Sequence, residues 1–193
     1  MSEHYGPVVP VRTQMRIAPW FLLLVVAYGV LDDHSVFRRA LDGMGESGRP
    51  KASAQARADI PPSYLAAYQR AARSCPGLSW TVLAAVGKVE SDHGRSPLPG
   101  VRSGANSAGA AGPMQIGIGG KAGPTWQHDG DGVPGHVYQI GPATTAAARK
   151  LCHDGARNGR DLRGALFAYN HSWAYVGQVL SLARSYQGRG VST

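Results

Sequence analysis

Between residues 94 and 141 the chain loses the pattern that a packed core requires. The run GRSPLPGVRSGANSAGAAGP (94–113) is dominated by Gly, Ser and Pro. It continues through 117–141, and only Met114-Gln115-Ile116 interrupts it with apolar character. On both sides the sequence turns helical. An irregular stretch this long inside one domain is uncommon unless it serves function. It therefore predicts a mainly α domain with a long irregular central segment, and it directs attention to that segment.

The helical flanks carry their own start and stop signals. From Ser63, YLAAYQRAARSC places Tyr64, Leu65, Tyr68 and Ala72 on one face, and Pro76-Gly77 ends the pattern. Ser79 is placed to cap WTVLAAVGKVES. Helix resumes at ATTAAARKLC (143–152) and stops at Gly155. Asp161 can cap LRGALFAYN, and Ser172 can cap WAYVGQVLSLARSY before Gly188. No alternation of β-branched residues signals a hairpin. The domain is read as residues 61–187, followed by a short tail, 188–193.

The N-terminal part reads differently. Arg12 and Arg16 precede IAPWFLLLVVAYGVL (17–31), which carries no charge. That stretch is short of the about 20 residues of a membrane span and suits the apolar region of a signal peptide. Residues 1–31 are therefore expected to be a signal peptide or an N-terminal membrane anchor, with the arginines on the cytoplasmic side. A buried core helix is the alternative. Residues 32–60 lack a sustained apolar period and read as a flexible linker. The expectation is an exported protein of the cell envelope, membrane-anchored or secreted.

Charge and cysteine content fit that compartment. The net charge is +8, and nearly all of it lies beyond residue 60. Such a domain suits an anionic polymer, although ordinary solubility charge explains the same number. Export argues against nucleic acid, for which no recognition motif is present. Cys75 and Cys152 are the only cysteines. In an exported chain an even pair favours a disulfide, with two buried thiols as the alternative. HDGDG (128–132) lacks the spacing and the closing Glu of a calcium loop and reads as a turn. No metal ligand set and no cofactor motif is expected.

Glu90 is the last Glu of the chain. Beyond residue 60 the other acids are Asp92, Asp129, Asp131, Asp154 and Asp161. Gly87, Val86, Leu83 and Trp80 precede Glu90 at helical spacing and share its face. The carboxyl is thereby directed toward apolar surface at a helix C-terminal end. Desolvation and the negative end of the helix dipole both disfavour its anion. A carboxyl kept protonated near neutrality can serve as a general acid. A solvated helix edge is the plain alternative.

Four segments, in order, resemble the lytic transglycosylases of the soluble (SLT) type, which share a lysozyme-like fold with goose-type lysozyme. The first is Glu90-Ser91 with Gly94, similar to E-S-x-x-G. The second, Gly109-Ala110-Ala111-Gly112-Pro113-Met114-Gln115, is similar to G-A-x-G-x-M-Q. The third is Thr125-Trp126 with HDGDGVPG. The fourth is Ala168-Tyr169-Asn170 before Ser172, similar to A-x-A-Y-N. Each is weak alone. Together they cover the predicted domain, and the Pro before Met-Gln, the Trp and the Cys pair look most like actinobacterial members.

The resemblance implies cleavage of the β-1,4 bond between N-acetylmuramic acid and N-acetylglucosamine in peptidoglycan, by a monomer without cofactor. Glu90 would be the single acid/base, and the muramoyl 6-hydroxyl would close to a 1,6-anhydro ring. Gln115 would line the sugar cleft, Tyr169 would donate to Glu90 or stack beside it, Asn170 would hold sugar substituents, and Ser91 would orient Glu90. Met114 and Trp126 complete the implied substrate-binding set. Structural roles stand beside these: Met114 and Tyr169 as core, Asn170 as a left-handed helix cap, and Trp126 as core or sugar platform. Two other functions compete. A hydrolytic muramidase would need a second carboxylate, for which Asp92, Asp129 and Asp131 are candidates. A non-catalytic envelope protein would bind glycan in the same cleft.

Overall fold

A computed structural model describes residues 50–188. The expected signal or anchor (1–31), most of the expected linker (32–49) and residues 189–193 lie outside the described residues. Among the described residues no helix is long and apolar enough to cross a membrane. The described part is mainly helical. Its helices are α1 (Ala54–Asp59), α2 (Pro62–Ala72), α3 (Trp80–Ser91), α4 (Thr125–Asp129), α5 (Ile140–Leu151), α6 (Leu162–Asn170) and α7 (Trp173–Tyr186). A hairpin of β1 (Ala110–Ala111) and β2 (Ile116–Gly117) stands between α3 and α4.

Helix α3 is the centre. Ser79 caps it, its Oγ accepting from the Thr81 N–H at 3.3 Å. Every residue from Trp80 to Gly87 is buried, because α2 and α7 pack against it on different sides. Each fully buried Leu or Val of this helix contributes roughly 1.5–3 kcal/mol. Gly87 is required where it stands: a Cβ there would collide with the Tyr68 hydroxyl of α2. The face predicted for α2 is present, with Tyr68 fully buried and Tyr64, Leu65 and Ala72 half-buried against the core.

The domain begins earlier than its sequence suggests. Residues 54–59, within the expected linker, form α1, capped by Ser53, which accepts from the Ala56 N–H at 3.0 Å. Ala56 and Ile60 are buried. The Ser53 N–H donates to Tyr186 O at 3.0 Å, Gly188 N–H to Lys51 O at 2.6 Å, and the Trp80 indole N–H to Pro50 O at 2.7 Å. Gly188, expected in the tail, is thus paired with the start of the domain. A six-residue helix is too short to display a period, so this segment passes for linker.

Asp59, at the end of α1, anchors a polar chain into the core. The Tyr186 hydroxyl donates to it. His93 Nε2 lies 3.3 Å from that hydroxyl oxygen, and His93 Nδ1 lies 3.0 Å from the Tyr68 hydroxyl. These bonds assign the Nε2–H tautomer, with Nδ1 accepting. Burial lowers the His93 pKa to about 4, against the pull of Asp59, so the ring is neutral. His93 is a core residue satisfied on both nitrogens.

The Cys75–Cys152 disulfide forms, joining the chain just after α2 to the end of α5 with Cα atoms 5.6 Å apart. It closes a loop of sequence separation 77. Loop-closure entropy over that length gives about 4–5 kcal/mol. Replacing both cysteines by alanine is expected to lower unfolding stability by roughly 2–5 kcal/mol, read from the denaturant midpoint; an unchanged midpoint would show that the crosslink constrains nothing.

Candidate active site

Glu90 stands in the last turn of α3, and the chain must turn sharply after it. Asp92, His93 and Gly94 all adopt positive φ, at 50, 54 and 76°. The Asp92 N–H bonds Lys88 O, the 5→1 bond of an αL helix end, and the His93 N–H bonds Gly87 O beyond it. Asp92 holds the left-handed position usually given to glycine, and its carboxylate is tied to Lys88 at 2.7 Å and to Arg95 at 2.7 Å. Those cations hold its pKa well below the ordinary range.

Ser91 joins this helix end to the second segment. Its hydroxyl donates to Pro113 O at 2.6 Å and accepts from the Gly94 N–H at 2.8 Å. Ser91 is buried, so it positions α3 against the hairpin turn rather than meeting a ligand. The turn runs from Gly112 to Gln115 between the paired positions Ala111 and Ile116. Gly112 lies against the Val137 carbonyl, where any Cβ would collide. Met114 points inward, fully buried, and is core rather than a ligand contact. Gln115, at φ 46°, points the other way and lines a cleft.

That cleft has a volume of about 320 Å³, within the range of ligand-binding sites. Glu90 lines it, together with Gln115, Asn106, Tyr169 and Asn170. Gln115 is oriented by its neighbours: its Oε1 accepts from Asn106 Nδ2 at 2.9 Å, and its Nε2 donates to Gly112 O at 2.9 Å. Asn106 is in turn fixed, its Oδ1 accepting from the Ala108 and Ala110 N–H groups at 2.9 and 3.0 Å. Two cations, Lys121 and Lys150, also line the cleft. Lys150 is paired with Asp154 at 2.8 Å.

Burial raises the Glu90 pKa to about 7, with an opposing contribution from Tyr175. Tyr175 is buried in α7, and its hydroxyl is the one buried side-chain polar atom among the described residues without a hydrogen-bond partner. It and Glu90 perturb each other's titration while remaining outside strict hydrogen-bond geometry. Burial and the nearby carboxyl keep this phenol protonated far into the alkaline range. The Tyr169 ring lies parallel to that of Tyr175, with centroids 6.5 Å apart. Its hydroxyl donates to Met114 O at 2.8 Å rather than to Glu90.

Asn170 is exposed at the rim, and it is His171, at φ 57°, that takes the left-handed position ending α6. Trp126 is half-buried against the core and does not line the cleft. None of the three aspartates considered as a second carboxylate lines it either. Asp92 is held in its ion pairs, Asp129 lines a separate pocket with Arg149 and Arg157, and the Asp131 carbonyl accepts from Arg149. Glu90 is the sole carboxyl in the lining. Asn106, Lys121, Lys150 and Tyr175 were not among the residues expected from the sequence. Tyr175 lies within a helix read only for its cap, and Asn106 lies in a Gly/Ser-rich run.

No protein-family model, curated protein or solved structure matches this chain.

The raised pKa of Glu90 makes stability depend on pH. Below about pH 4.5 the carboxyl is neutral in both folded and unfolded chains. Above it the unfolded chain ionises first, and the folded state loses stability until pH passes about 7. Glu90→Gln is therefore expected to leave stability unchanged at pH 4 and to increase it at pH 8 by roughly 1–3 kcal/mol, allowing for solvent at the open side of the cleft. Denaturant melts at the two pH values test this, and equal effects at both would remove the buried-acid reading.

Proposed function

We propose that this chain is a peptidoglycan lytic transglycosylase with a lysozyme-like helical domain, and that Glu90 is its single acid/base. The observation that carries the reading is one half-buried carboxyl with a pKa near 7, unaccompanied by a second carboxyl in a cleft lined with oriented amides. Lys121 at the same cleft suits a substrate bearing carboxylates, whereas Lys150 there is already paired with Asp154. The exported setting expected for residues 1–31 and the disulfide agree with an envelope substrate.

The chemistry follows from those groups. The protonated Glu90 donates to the glycosidic oxygen as the C1–O bond of the muramoyl unit breaks. The 6-hydroxyl oxygen of the same sugar then bonds to C1, and its proton passes to the Glu90 carboxylate. Glu90 is thereby restored, no water is consumed, and a 1,6-anhydro ring results. Two-carboxylate glycosidases place their second group to activate water or to form a covalent intermediate; here the substrate hydroxyl takes that place. Gln115 and Asn106 fit hydrogen bonding to sugar amides and hydroxyls. Tyr175 is placed to donate to the Glu90 carboxylate once it has lost its proton.

Digestion of purified sacculi followed by mass spectrometry tests the reaction. The expected products carry 1,6-anhydromuramoyl ends, and Glu90→Gln abolishes them. Reducing ends would establish hydrolysis instead, and intact strands would leave glycan binding without catalysis. Tyr175→Phe is expected to lower kcat by about 10–100-fold and to move the Glu90 titration upward, because a donor to its anion is gone. A pH–rate profile identical to that of the unmodified protein would exclude Tyr175 from the mechanism.

A further inference from the structure

Trp173 has no part in the cleft chemistry. It opens α7, and 58% of its surface is exposed. A large indole left in water forgoes the free energy of burying it, yet this one is fixed in place. Phe167 of α6 stacks beneath it, with centroids 4.5 Å apart and planes 25° apart. The Arg163 guanidinium, one turn earlier on α6, lies 5.7 Å from the indole centroid. Ser172 fixes the start of α7 by accepting from the Tyr175 N–H at 3.3 Å. The ring is thus held in one orientation by two residues of α6 and one cap.

This aromatic surface is continuous with the cleft. His171 lines the cleft and meets the Phe167 ring edge-on, with centroids 5.9 Å apart. From His171 the surface passes to Phe167 and then to Trp173. A cleft of about 320 Å³ is at the small end for ligand sites. A polymer threaded through it must continue over the surface on one side or the other. The apolar C–H face of a pyranose matches an exposed indole, as aromatic faces attract the partial positive charge of C–H groups. The Arg163 guanidinium, which lies over part of the ring, matches a carboxylate.

We infer that Trp173 and Phe167 form an outer platform for a saccharide ring of the glycan strand, with Arg163 receiving the carboxylate of its lactyl or peptide substituent. The platform rests on the reading that the cleft takes glycan. It extends that reading to a binding register beyond the bond that Glu90 attacks, and it makes strand length and charge determinants of affinity.

Binding measured on the full chain carrying Glu90→Gln separates the two claims. The probes are a disaccharide-peptide, an uncross-linked glycan strand with its peptides, and an uncharged chitin oligosaccharide of similar length. Adding Trp173→Ala is expected to weaken strand binding about tenfold and to change disaccharide binding less than twofold, with Trp173→Phe retaining most of the affinity. Arg163→Gln is expected to weaken the peptide-bearing strand and leave the chitin oligosaccharide unaffected. Tight strand binding that ignores Trp173→Ala overturns the platform while the glycan reading stands. Equal effects of Arg163→Gln on both polymers overturn the carboxylate assignment. Failure of every probe to bind overturns the glycan reading and the platform with it.

Discussion

The hydroxyl of Ser91 holds two segments together that are remote in sequence. By bonding Pro113 O and the Gly94 N–H, it fixes the end of α3 against the turn that carries Gln115. Glu90 precedes it by one residue and therefore faces outward from the same helix end into the cleft. Three successive positive φ values after Ser91 follow from the same demand, since the chain must reverse immediately to leave room for the hairpin.

Rigidity at that point is supplied from the far side of the helix. Asp59 accepts from Lys88, Arg95 and Tyr186, and although its burial opposes ionisation those hydrogen bonds hold its pKa low. Lys88 and Arg95 also hold Asp92, at the cap of α3. The segment before residue 61 thus braces the helix that carries Glu90. The pKa values of neighbouring carboxyls diverge for this reason. Asp92 is surrounded by cations and stays ionised, while Glu90, two residues earlier, faces buried aromatic rings and is raised to about 7.

Much of this was legible in the sequence. Ser79, Asp161 and Ser172 cap the helices they were expected to cap, because a side-chain oxygen just before a helix is a local signal. The disulfide followed from an even cysteine count read together with the expected export. The apolar face of Glu90 followed from helical spacing. What escaped was short or non-local. Helix α1 and the four paired hairpin residues are below the length at which a period can be counted. The inward turn of Met114 and the buried place of Ser91 depend on how Gly112 and Pro113 fold back, which no spacing rule gives. Tyr175 reaches Glu90 from a helix that lies far along the chain, so only packing brings them together. Trp126 packs against the core, whereas Trp173, to which the sequence assigned no role, is the exposed ring.

Everything in the cleft chemistry turns on Glu90 being a carboxyl that its surroundings keep about half protonated at neutral pH. An NMR titration of side-chain carboxyl carbons, with Glu90 assigned by comparison with Glu90→Gln, measures this without reference to any substrate. A midpoint near 7 is expected for Glu90. A midpoint near 4.5, the ordinary value for glutamate, would contradict it and leave the cleft without its acid.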